Sequence, residues 1–186
     1  MLTLYGTRAL VTGGSRGIGL ACAEAMAQQG CDVVLNHFND AAKAEQECNR
    51  LSDAHGRKVH HIDADVADSK AARRMVEQAA SLLGGLDIVH SNAGICRFTP
   101  FIEIDDENWK RHVDVNFSGG FYVTQTAATL MINQGTGGRI IFTASIGSFR
   151  SNATQTHYCA TKGGVHLLAQ GMALELAQYG ITVNCI

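Results

Sequence analysis

The sequence predicts a doubly wound α/β fold, one parallel sheet covered on both faces by crossover helices. Three observations carry that expectation. Six short apolar runs lie at 8–12, 32–36, 58–62, 86–90, 138–143 and 181–185, and helical patterns near 17–29, 40–54, 68–83, 107–133 and 157–178 alternate with them. The runs are short, four to six residues, and rich in apolar side chains, which suits strands of a parallel sheet covered on both faces. A glycine-rich break follows the first run directly. With 186 residues, 46% hydrophobic and 17% charged, the chain is expected to form a single domain, 1–186, around one core.

The first run, Ala9-Leu10-Val11, breaks into Thr12-Gly13-Gly14-Ser15-Arg16-Gly17-Ile18-Gly19 and then into small and apolar residues at helical spacing. Such a strand, turn and helix opening presents backbone N–H groups and the positive helix end to a phosphate, with glycines permitting the turn and the close approach. The spacing is Thr-Gly-x-x-x-Gly-x-Gly and not the commoner Gly-x-Gly-x-x-Gly. Gly30 closes the first helical pattern, Gly84-Gly85 the third, the segment 135–138 the fourth and Gly180 the fifth, each where a C-terminal glycine is expected. After the fourth run comes Asn92-Ala93-Gly94, with Pro100, the only proline, beyond it. The segment 92–106 therefore reads as a loop at a strand end, where ligands bind in such sheets. The acidic residues Glu103, Asp105, Asp106 and Glu107 read as the start of the following helix, where negative charge suits the macrodipole.

Charge and composition exclude several classes. A formal net charge of −2 gives no basic footprint for nucleic acid and no polybasic membrane patch. No apolar run approaches the length of a membrane span. The six cysteines are scattered without a Cys-x-x-Cys pair, as free thiols in a reducing cytoplasm would be, and no leader-like segment precedes the first strand. His60 and His61 near Asp63 and Asp65 suggest metal only superficially. On a strand the two histidines point to opposite faces, so no metal site is expected.

Tyr158 and Lys162 are four apart, thirteen residues after Ser145, and on a helix they share one face. A free tyrosine ionises near pH ~10, so as a base near neutrality it needs a fixed positive charge beside it. Lys162 is the candidate charge. A surface Tyr and Lys on an amphipathic helix is the plainer alternative for the spacing alone.

Taken together, Thr12-Gly13-x-x-x-Gly17-x-Gly19, Asn92-Ala93-Gly94, Asn116, Ser145 and Tyr158-x-x-x-Lys162 resemble, in order and spacing, the short-chain dehydrogenase/reductase family over essentially the whole chain. The resemblance implies a Rossmann-type sheet of strand order 3-2-1-4-5-6, the chain stopping before that family's strand 7. It implies an active tetrad of Asn116, Ser145, Tyr158 and Lys162. Tyr158 would move the proton, Ser145 would hold the substrate oxygen, Lys162 would hold the ribose hydroxyls, and Asn116 would anchor a water through a kink in the 107–133 helix. For the cofactor it implies contacts from Gly13, Ser15, Arg16, Gly17, Ile18 and Gly19, with the amides from Ser15 to Ile18 at the pyrophosphate, Asp65 and Val66 at the adenine, and Asn92, Ala93 and Gly94 lining the cofactor and bracing the central strand, together with Tyr158 and Lys162. His37 occupies the position where the family carries an acid for the adenosine ribose, and with Arg16 in the loop the expected cofactor is NADP, with NAD tolerated.

The segments around Ile95-Cys96-Arg97 and Gln155-Thr156-His157 are similar to bacterial sugar dehydrogenases of that family, L-rhamnose 1-dehydrogenases in particular, which oxidise an aldose at C1 to a lactone. Substrate contacts are expected from Ser145, Tyr158, Gln155 and Cys96. A 3-oxoacyl thioester reductase is the alternative, and a non-catalytic nucleotide-binding remnant a third. Ala127, Ala128, Leu130, Met131, Leu167, Leu168 and Met172 are candidates for an outward face that pairs helices between copies, giving a homodimer or homotetramer.

Overall fold

The structure, a computed structural model, describes residues 3–186. Six strands, β1 Arg8–Val11, β2 Asp32–His37, β3 Val59–Asp63, β4 Ile88–Ser91, β5 Gly138–Phe142 and β6 Ile181–Cys185, form one sheet of order β3-β2-β1-β4-β5-β6. Every pairing is parallel. The chain winds outward from β1 to β3, returns to β4 beside β1, and winds the other way. The crevice between the tips of β1 and β4 is therefore the switch point at which open α/β sheets bind ligands.

Alternation along β1 sorts the core. Ala9 and Val11 face one layer with Val33 and Leu35, and Leu10 faces the other with Val34, Val89 and Ile140. All three β1 residues are fully buried, so each strand face is covered by helices: α1 Gly17–Gln28 and α2 Ala41–His55 against the first layer, α3 Ser69–Leu83 and α5 Gly119–Gln134 against the second. Each buried Leu or Val of this kind contributes roughly 1.5–3 kcal/mol. At the end of the sheet away from the crevice, Arg8 clasps Asp87 in a fork, Nε to Oδ2 at 2.7 Å and a terminal nitrogen to Oδ1 at 2.8 Å.

The expected glycine stops hold at Gly84 and Gly135, which take left-handed backbone at the ends of α3 and α5, and Gly56 ends α2 in the same way. Two expectations need correction. Glu103 belongs to a separate short turn, Phe101–Glu103, while Asp105 caps α4 Asp106–Val113 by accepting from the Asn108 amide. Ala127 and Met131 do not face outward: both are fully buried against the sheet, and Ala128 is nearly so. The small and apolar content of α5 is largely consumed by close helix-on-sheet packing.

The 107–133 helical pattern is broken. α4 runs into a wide π-type turn, Asp114–Ser118, before α5 begins. A π turn inserts a residue into the helical phase and swings one side chain to a new direction. Here that side chain is Asn116. The last helix, α6 Thr156–Leu176, carries Tyr158 and Lys162 in its first two turns.

Candidate active site

The glycine loop is fitted by conformation and by proximity. Gly13 and Gly17 have φ of +61° and +56°, where a side chain is strained. Gly19 is needed for space: a Cβ there would fall on the Gly13 carbonyl and 2.6 Å from Asn92 Nδ2. α1 starts directly behind the loop, and its first-turn amides have no intrahelical acceptor.

A ladder of side-chain hydrogen bonds ties this loop to the tips of β4 and β5. Thr12 Oγ1 accepts from the amides of Asn92 at 2.9 Å and Ala93 at 3.0 Å. Asn92 Nδ2 donates to the carbonyls of Thr12 and Gly13, and Asn92 Oδ1 accepts from Thr143 Oγ1 at 3.0 Å. With its hydroxyl proton so committed, Thr143 is left to accept from His90 Nε2 at 2.8 Å, which places a proton on that nitrogen. Burial holds His90 below the ordinary histidine range.

A cleft of about 610 Å³ opens over these strand tips. Gly13, Ser15, Arg16 and Ile18 line its loop side, His37, Phe38, Asp65 and Val66 one end, and Asn92, Ala93, Gly94, Cys96, Tyr158 and Lys162 the other. The structure thus brings most of the expected cofactor residues to one cavity. Gly17 and Gly19 shape the loop without lining it. Asp65 is partly spent, since Oδ2 takes the Arg111 guanidinium at 2.7 Å and Oδ1 the Ala67 amide at 3.0 Å.

Lys162 is 4% exposed, and its ammonium lies 5.8 Å from the centre of the Tyr158 ring. Its one hydrogen bond among the described residues goes to the Thr143 carbonyl, at 2.6 Å. Burial pushes the ammonium below its ordinary range, with Cys185 and Cys96 opposing. An ammonium has three donors, so two remain directed into the cleft region without protein acceptors.

Ser145 Oγ accepts from the Gly147 amide at 3.0 Å, which leaves its own proton to donate. A Cβ on Gly147 would meet Ser145 Oγ at 3.2 Å and the Tyr158 ring at 3.5 Å, so glycine lets these two groups approach. Asn116 is fully engaged: Oδ1 accepts from the Ile95 amide at 2.7 Å, and Nδ2 donates to the Ile95 carbonyl at 2.9 Å and to Thr161 Oγ1 at 3.2 Å. Its side chain pins the 92–100 loop to α6 beside Gly94, where a Cβ would lie 3.3 Å from Asn116 Oδ1 and 3.8 Å from Lys162 Nζ. Gln155 Nε2 lies 3.5 Å from Cys96 Sγ at the mouth.

Sequence reasoning missed Thr12 and Thr143 as site residues, although Thr12 stood inside the quoted motif. It also missed Asn36, whose Oδ1 accepts from the Gly13 amide at 3.2 Å, and Asp40, which takes Ser15 Oγ at 3.0 Å. Asp40 sits about twenty residues past the last loop glycine, the interval at which an acid serves such loops, and that was the available signal. No cluster of three or more His, Cys, Asp or Glu side chains suited to a metal occurs among the described residues.

A doubly wound sheet with a glycine loop at its switch point and a Tyr/Lys pair across the crevice defines a class of dinucleotide-handling α/β folds. Comparison with known proteins names the family: the family model for short chain dehydrogenase matches residues 7–186, and the chain belongs to that family. It is 39% identical over 186 residues to an L-rhamnose 1-dehydrogenase (NAD(P)(+)) from Sphingomonas sp., spanning 100% of this chain and 73% of that protein. It is 36% identical over 178 residues to a 3-oxoacyl-(acyl-carrier-protein) reductase from Staphylococcus aureus, with 96% of this chain and 72% of that one aligned. Among solved structures, a short chain dehydrogenase from Burkholderia cenocepacia in complex with NADP superposes with a TM-score of 0.93 at 37% identity, over 99% of this chain and 74% of that one.

Proposed function

We propose that this chain is an NAD(P)-dependent oxidoreductase that oxidises the anomeric hydroxyl of an aldose to a lactone. The observation that carries the chemistry is the buried Lys162 ammonium beside the Tyr158 ring, with two donors unspent. The donor set fits a nicotinamide dinucleotide: a glycine loop at a helix N-terminus for the pyrophosphate, and a lysine with free donors for the ribose. Bound there, that group supplies the hydride acceptor.

The protein's part is proton movement and positioning. Tyr158 takes the proton of the substrate hydroxyl as the C–H bond is broken, with the Lys162 ammonium 5.8 Å from the centre of its ring. Ser145 donates to the same substrate oxygen, because its lone pair is already given to Gly147. Lys162 holds the ribose hydroxyls, with Thr143 fixing its direction. Asn116 acts as a positioning residue, holding the loop that carries Cys96 against α6.

The sugar reading is supported by the relatives of that printed activity and by the Gln155 amide at Cys96, a polar contact at the mouth suited to a polyol. The 3-oxoacyl thioester reading uses the same proton chemistry in reverse and is supported by relatives at 36% identity, within the 33% to 39% span of the rhamnose dehydrogenases. Aldoses, L-rhamnose first, and acetoacetyl thioesters assayed with both nucleotides separate them. Lactone formation with an aldose and no thioester reduction is the expected result; the converse overturns it.

Assembly into at least a dimer is supported by an apolar groove between α5 and α6, lined by Phe121, Ala128, Ile132, Leu167, Leu168 and Met172. Leu167 is 67% exposed and Leu174 83%. A second copy covering this groove makes at least a dimer, and a monomer by light scattering at micromolar concentration contradicts it.

A further inference from the structure

We propose that Asp40 sets the nucleotide preference by holding Arg16, so that the cleft accepts NAD as well as NADP; this rests on the dinucleotide reading above. Three helices are preceded by aspartate. Asp68 caps α3 by accepting from the Lys70 and Ala71 amides, and Asp105 caps α4 by accepting from Asn108. Asp40 makes no such cap on α2. Its carboxylate turns to the glycine loop, where Oδ2 accepts from Ser15 Oγ at 3.0 Å and lies 3.4 Å from the Arg16 guanidinium.

Ser15 and Arg16 line the cleft on the loop side, and His37 and Phe38 line it at the tip of β2, so Asp40 sits behind the corner where an adenosine ribose rests. Two other carboxylates lie at this end: Asp63 is turned toward the β2 tip, accepting from the Asn39 amide at 3.3 Å with Oδ2 at 3.9 Å from His37 Nδ1, and Asp65 lines the cleft but is held by the Arg111 guanidinium and the Ala67 amide. Asp40 is therefore the acid directed at the loop. A ribose 2′-hydroxyl can donate to a carboxylate, whereas a 2′-phosphate is repelled by it and must draw Arg16 away. Arg16, 70% exposed at its side chain, is free to make that move. The paired charges offset each other and flatten the discrimination that either would impose alone.

The test is direct binding of NADH and NADPH by calorimetry to the wild-type protein and to Asp40→Asn, Asp40→Glu and Arg16→Gln. Asparagine keeps an acceptor for Ser15 and removes the charge, so the NADPH:NADH affinity ratio should rise at least tenfold, about 1.4 kcal/mol. Asp40→Glu should stay within about threefold of wild type, and Arg16→Gln should lower the ratio about tenfold or more. A ratio unchanged in Asp40→Asn, or both affinities falling equally, overturns the assignment and leaves the dinucleotide reading intact. Failure of the wild-type protein to bind either nucleotide overturns that reading instead. Should Asp40→Asn not fold, the Arg16→Gln ratio decides: unchanged, it refutes the proposed pairing.

Discussion

The Lys162 ammonium donates to the Thr143 carbonyl at 2.6 Å from a site only 4% exposed. One hydrogen bond does not compensate a buried charge, so this contact marks a place where stability has been given up for function. Lys162→Met should test that directly. It removes a desolvated cation of similar length, and the melting temperature should stay level or rise while turnover falls a hundredfold or more. A melting temperature lower by ten degrees would show that the lysine is structural.

Tyr158→Phe keeps the ring and removes the oxygen. Turnover should fall about 10²- to 10⁴-fold, the range of a lost general acid or base. NADPH affinity should change less than about threefold. Equal losses in both would place Tyr158 in nucleotide binding alone.

Thr12→Val tests the ladder joining β1 to β4. Valine matches the volume but leaves the Asn92 and Ala93 amides without an acceptor in a site where Thr12 is 1% exposed. Each orphaned amide costs about 1–3 kcal/mol. Chemical denaturation should report a loss of about 2 kcal/mol or more, and a loss below about 0.5 kcal/mol would show that the ladder is dispensable.

Acid should destabilise the fold through its buried histidines. His37, His90 and His157 are 2%, 1% and 0% exposed, and burial lowers each from its ordinary value of 6.5. His157 also has the His112 ring at 3.9 Å between centroids, and among the described residues neither of its ring nitrogens has a hydrogen-bond partner. A histidine with a depressed folded value gives stability that is intact above about 6.5 and lost as pH falls from there toward the folded value, because the unfolded chain binds protons first. The melting temperature should therefore fall between pH 7.5 and 5.5, and His157→Leu should reduce that fall. An identical pH dependence in the variant would remove His157 from the account.

Much of this was readable in the order of residues. Period and glycine placement located all six strands to within about two residues, because strands covered on both faces are rich in apolar residues and glycines supply left-handed backbone where helices end. The Tyr158/Lys162 pair and the Gly13, Gly17, Gly19 loop were legible because each is a local geometry. What escaped were contacts made across the fold. Thr12 reaches Asn92 some eighty residues away, and Asp40 meets Ser15 only because β2 lies beside β1. Ala127 and Met131 were misread as outward because a helix of small residues packs so closely that its buried face is wider than hydrophobic content alone indicates. The phase break at 114–118 was visible only as an expected kink, since no proline or glycine inside it announces the extra residue.

The Arg8–Asp87 fork lies at the far rim of the sheet from the cleft between the glycine loop and α6. Division of labour of that sort gives an evolving lineage, or an engineer, two separate workbenches. Reinforcement can accumulate at the rim that Arg8 secures while the crevice rim is re-cut for a new sugar or a new coenzyme, and changes made at one need not be undone at the other.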